Sequence, residues 1–88
     1  MERIIEGVIF LKRSDACLVK LRSSSICMIA EIAAETSVSK GDILFPVKDA
    51  TYLINRDKHR TVKVLCAREF NATYWFAQKI ENRSIPEI

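Results

Sequence analysis

The chain has 88 residues, of which 49% are hydrophobic and 28% charged, and its formal charge is +3. That length supports one small domain, and the charge is too evenly balanced for the dense basic stripe of a strong nucleic-acid binder. With two glycines and two prolines, the chain is not low-complexity sequence.

Arg3 to Lys12 is rich in Ile, Val and Phe and predicts a first strand, with Gly7 marking a bulge or a barrel bend. Arg13-Ser14-Asp15 reads as a turn. Ala16 to Arg22 is a second strand, with Leu18 and Lys20 on one face and Cys17, Val19 and Leu21 on the other. Ser23-Ser24-Ser25 either closes a hairpin or caps a helix. Ile26, Ile29, Ala30 and Ala33 have helical spacing, whereas Ile26, Met28, Ala30 and Ile32 have strand spacing. The recurrence of turns favours a strand over Ile26–Ile32, with a short helix near 25–36 as the alternative.

Ser39-Lys40-Gly41-Asp42 is the next turn, and Ile43 to Val47 a short strand. Pro46 has no amide proton, so that strand belongs at an edge or ends there. Thr51–Asn55 is a strand, Arg56–His59 a turn, and Arg60–Ala67 a long strand. From 71 to 82 two readings stand side by side. Asn71 can cap a helix with Phe70 stapled on Trp75, yet Thr73-Tyr74-Trp75-Phe76 has high β-propensity. The expectation is a mainly β, five- to six-stranded antiparallel barrel or curved sheet of the OB or SH3-like kind. It becomes α+β if 25–36 and 71–82 are helical. Residues 1–83 form the single domain and 84–88 a flexible tail.

Cys17, Cys27 and Cys66 lie within apolar segments without Cys-x-x-Cys spacing, which predicts buried free thiols. With one histidine, no metal site or cofactor is expected. The longest apolar run, Ile26 to Ala30, is far short of the roughly 20 residues of a spanning helix. Glu2, Arg3 and Glu6 precede any apolar stretch, unlike a secretory signal. A cytoplasmic protein with no membrane contact is therefore expected.

Val38-Ser39-Lys40-Gly41-Asp42-Ile43-Leu44, followed by Thr51 to Asn55, resembles the Gly-Asp turn leading into a strand in small RNA-binding barrels. It is also similar to the swapped-hairpin DNA-binding domains of AbrB-like regulators and antitoxins. That second resemblance implies a short helix where Ile26–Glu35 stands. In physical terms Gly41 tolerates a left-handed backbone and Asp42 can bond the turn.

Arg56, Lys58, His59, Arg60, Lys63 and Arg68 could make a basic β-ribbon that tracks a phosphate backbone. Tyr52, Tyr74, Trp75 and Phe76 could stack bases or form an aromatic patch for a protein. Charged hairpin tips are commonly just solvated, and Trp and Phe are commonly core. His59 between Arg56 and Arg60 is the one arrangement resembling an acid–base site, and a surface turn histidine is the commoner outcome. Catalytic and phosphate-loop motifs are absent. These features favour a non-enzymatic interaction module, such as an adaptor, inhibitor or assembly subunit, that binds through a sheet edge and an aromatic patch. Its partner is another protein or a second copy in a homodimer. The alternative is a nucleic-acid-binding barrel or ribbon using the 56–68 hairpin.

Overall fold

The structure, a computed structural model, describes residues 2–12, 14–33 and 37–82. Arg13 of the expected first turn and the expected tail at 84–88 lie outside the described residues. Six strands and one helix follow in order: β1 (Arg3–Phe10), β2 (Ala16–Ser23), β3 (Ile26–Ala33), β4 (Ile43–Lys48), β5 (Thr51–Ile54), β6 (Asp57–Glu69) and α1 (Ala72–Asn82). The strands form a closed barrel in the order β1-β2-β3-β6-β5-β4, with every neighbour antiparallel. This is the mainly β barrel that the strand spacing predicts.

Two three-stranded meanders, β1-β2-β3 and β4-β5-β6, are joined along β3–β6 and β1–β4. Alternation along the strands sends Ile5, Val19, Leu21, Ala30, Ile32, Leu44, Ile54 and Val62 into the barrel, where each is buried. Val38, from the connection between β3 and β4, joins the same core and plugs one barrel end. The seam beside it is clasped by side chains. Asp42 Oδ2 accepts from the Ser39 amide at 2.9 Å, and Asn55 Nδ2 donates to Asp42 Oδ1 at 3.1 Å. Asn55 Oδ1 accepts from the Ile43 amide at 2.9 Å. Gly41 adopts φ 98°, as the Gly-Asp turn requires.

Ile26–Ala33 is a strand, so the helix implied by the AbrB-like resemblance is not formed. Its ambiguity has a physical cause. Ala30 and Ile32 face the barrel while Ile29 packs outside under the helix, so both faces are apolar. At the C-terminus the helical reading holds. Asn71 Oδ1 caps the Tyr74 amide at 2.9 Å, and Phe70 lies against Trp75 with ring centroids 6.4 Å apart. The sheet is already closed, so Trp75 is buried by a helix laid on its outer face rather than by another strand.

That helix seats Trp75 among Ile9, Leu18 and Ile29 on the outside of β1, β2 and β3. Gly7 makes the seat: a Cβ there would stand 2.9 Å from Trp75 Cζ2. The pairing of β1 with β2 also slips between Ile5 and Gly7, which leaves Glu6 as a bulge. Glu6 then accepts from Arg22 Nε at 2.7 Å, and this hydrogen bond raises the Arg22 guanidinium above its ordinary value. The helix end is tied down by Lys12, whose amide donates to Asn82 Oδ1 at 2.9 Å.

Two sequence expectations are corrected. The turn before β6 is Asn55–Arg56, both at positive φ (53° and 62°), so β6 begins at Asp57 instead of Arg60. Cys17 is buried, but Cys27 is only half-buried and Cys66 is exposed, because none of the described residues packs over the outer face of β6 there. No helix among the described residues is long and apolar enough to cross a membrane.

Replacing Gly7 with Ala should destabilise the fold by about 1–3 kcal/mol, because the added methyl meets a ring held on three sides. Trp75 is the single tryptophan, so a red-shifted emission accompanying a lowered melting midpoint would report its displacement. Asp42→Ala removes two seam hydrogen bonds and should lower stability by about 1 kcal/mol without shifting that emission.

Candidate protein-docking face

The barrel end opposite Val38 is built from the β2–β3 turn, the β4–β5 turn, the start of β1 and the second half of β6. Strand β6 explains why this end is open. Its first half pairs with β5 from Asp57 to Lys63, and its second half pairs with β3 from Val64 to Glu69. Beyond Val64, whose amide donates to Ala50 O, β6 has no β5 neighbour, and its side away from β3 is a free edge among the described residues. Strand β4 behaves likewise. Among the described residues it meets β1 only at Ile43 and Leu44, so Phe45–Lys48 is an edge there, as Pro46 in that strand predicts.

Two bulges flank this opening. Between the pairs Pro46↔Tyr52 and Lys48↔Thr51, Val47 is an extra residue and is 57% exposed. Between Glu31↔Cys66 and Ile32↔Val64, Leu65 is the extra residue and is 52% exposed. Bulges re-aim side chains that regular pairing would turn inward or bury against neighbours. The Val64 amide donates to Ala50 O at 2.9 Å, which brings Leu65 beside the β4–β5 turn that carries Val47. A shallow pocket of about 180 Å³ runs along Pro46 to Tyr52. Ile26 stands exposed at the neighbouring β2–β3 turn. Below them Tyr52 and Val64 are partly buried against the barrel core.

Arg3 lies across the opening. Its Nη1 donates to Met28 Sδ at 3.4 Å, and its Cζ is 5.9 Å from the Tyr52 ring centroid. The face thus combines two sheet edges, projecting aliphatic side chains, an aromatic ring and cations at Arg3 and Lys48. It is suited to receiving an extended protein segment.

The aromatic residues singled out in the sequence are not brought together. Tyr52 is at the barrel end, whereas Tyr74, Trp75 and Phe76 are on α1. Trp75 is 6% exposed and belongs to the helix seat, and Tyr74 lies under the Arg68 guanidinium, 4.6 Å from its ring centroid. Phe76 projects outward with Ile80. The basic residues are also dispersed along β6. Arg56 pairs with Glu2 at 3.3 Å and covers Phe45 at 4.5 Å. Arg60 donates to Ser37 O at 3.0 Å. Lys58, His59 and Lys63 are exposed, and the His59 amide donates to Asp57 Oδ1 at 2.9 Å. The sequence reading missed Arg3, Val47 and Leu65. The run Phe45-Pro46-Val47 at a strand edge was the only signal available.

Comparison with known proteins gives a consistent result. Residues 1–76 match the IraM/PmrD family. The chain is 38% identical over 77 residues to the signal transduction protein PmrD of Salmonella typhimurium, covering 85% of this chain and 91% of that one. It is 44% identical over 54 residues to the signal transduction protein PmrD of Escherichia coli, covering 61% of each. The crystal structure of E. coli PmrD superimposes with a TM-score of 0.83 at 33% identity, covering 94% of this chain and 100% of that one. The solution structure of Klebsiella pneumoniae PmrD gives 0.73 at 30% identity, covering 88% and 96%.

The thiols should report this geometry. Cys66 on the free half of β6 should react with a thiol reagent in the native protein, and Cys17 only on unfolding. Burial pushes the Cys17 thiol above its ordinary 9.0. The unfolded chain therefore loses that proton first, and stability should fall as pH rises past about 9. A Cys17→Ala variant should show a weaker decline.

Proposed function

This chain belongs to the IraM/PmrD family, and on that premise we propose that it transmits a signal by binding another protein across the open end of its barrel. It is a small β-barrel protein of a family whose relatives carry the name signal transduction protein. The observation that supports this end as the docking face is the pair of bulges that present Val47 and Leu65 beside two free sheet edges. Projecting aliphatic side chains cost nothing in packing to bury in a partner, and an unpaired strand edge supplies backbone donors and acceptors in fixed register. Arg56, Arg60 and Arg68 are already engaged by Glu2, by Ser37 O and by the Tyr74 ring. That leaves fewer of the residues a phosphate-tracking ribbon needs and supports a protein partner over a nucleic acid.

The test is capture of a partner on immobilised protein, followed by affinity measurement with three variants. Val47→Glu and Leu65→Glu together should weaken binding more than tenfold, since each buries a charge in the contact. Phe76→Glu, on the outer face of α1, should leave it unchanged. Loss of binding through Phe76→Glu alone would move the docking face to the helix.

A further inference from the structure

Among the described residues, Arg22, Arg56 and Arg60 each lie within 4.0 Å of a carboxylate oxygen, from Glu6, Glu2 and Asp42 respectively. Arg68 is exposed over Tyr74, so its guanidinium is open to solvent. Arg3 is different. It is half-buried at the barrel opening, makes no ion pair among the described residues, and its Nε is a buried donor with no partner. What it does touch are weak acceptors, a thioether and an aromatic face. A guanidinium removed from water without a counter-ion is costly, and the cost is relieved by a carboxylate able to accept from two of its nitrogens.

We propose that Arg3 is a receptor for one carboxylate, the Asp or Glu side chain of a protein segment docked at the barrel end. The proposal rests on the docking reading above. Unbound, the long side chain folds over Met28 and Tyr52 and shields them. A rotamer change lifts the guanidinium to the rim, frees Nε to donate to the incoming carboxylate, and uncovers the two apolar side chains for contact. The charge selects an acidic segment, and the motion couples that selection to opening of the apolar surface. A neutral segment would leave the guanidinium unpaired inside the contact, which is how a buried polar group discriminates between partners.

Nuclear magnetic resonance on the free full chain tests this directly, with a blocked Gly-Glu-Gly peptide as probe and Gly-Gln-Gly as its neutral counterpart. The Arg3 Nε–Hε and Met28 methyl signals should shift saturably with the glutamate peptide, and at least fivefold less with the glutamine one. Equal shifts from both peptides, or shifts confined to Lys58 and Lys63, overturn the proposal. So does a response to inorganic phosphate with none to the glutamate peptide. Arg3→Met should abolish the shift at the Met28 methyl and raise the melting midpoint by a few degrees, because an unpaired charge gives way to an apolar side chain. A lowered midpoint would make Arg3 a structural residue and overturn the proposal. With a captured partner, Arg3→Met should weaken binding about tenfold or more. Binding that survives Arg3→Met but not the Val47 and Leu65 changes overturns the carboxylate receptor and leaves the docking face standing. Binding that survives the Val47 and Leu65 changes overturns the docking face itself, and the peptide titration still decides the role of Arg3.

Discussion

Strand β6 holds the two meanders together, and most of the molecule follows from the way it divides itself between them. Thirteen residues long, it gives its first half to β5 and its second half to β3. A shorter strand would satisfy one meander and leave the other as an open three-stranded sheet, which is marginal alone in water. The division also fixes what stays exposed. Where β6 leaves β5 and crosses to β3, each half pairs with a single strand among the described residues, and the barrel gains an edge at one end. Closure and the open barrel end are two consequences of one strand's length.

The second constraint is the seat of Trp75 on Gly7. The outer face of β1, β2 and β3 carries Ile9, Leu18 and Ile29, which would otherwise meet solvent. A helix can cover them only if it approaches closely, and the missing side chain at position 7 permits that approach. Lys20 then stacks over the Phe70 ring at 4.6 Å at the entry to the helix, and Asn82 anchors its far end to Lys12. The helix therefore occupies one face of the barrel and leaves the end with Arg3, Val47 and Leu65 uncovered.

Part of the charge in this protein is paired locally. Glu2, Glu6 and Asp42 each answer a basic side chain, Glu6 facing both Lys20 and Arg22, and the Arg68 guanidinium lies over the Tyr74 ring. Such surface pairs contribute little to stability individually. That pattern is compatible with the proposed docking of a protein at the open barrel end.

The sequence by itself determined the class of fold. Strand alternation in Ala16–Ser23, the Gly-Asp turn at Gly41 and Asp42, the bulge signalled by Gly7, the edge signalled by Pro46 and the Asn71 cap are local effects, set by φ, by a missing amide proton or by a side chain's reach to its own backbone. The choice between helix and strand was not local. Ile26–Ala33 is a strand because β2 and β6 supply ladders on both sides, and Ala72–Asn82 is a helix because Asn71 caps it and the outer apolar face of β1–β3 receives Trp75. The docking face was almost invisible for the same reason. Val47 and Leu65 read as ordinary strand residues, and only the register slips between paired strands turn them outward. Arg3 read as one charge among many until β3 and β5 placed Met28 and Tyr52 beneath it. Pairing register and strand closure join residues far apart in the chain, so the tertiary structure alone could decide them.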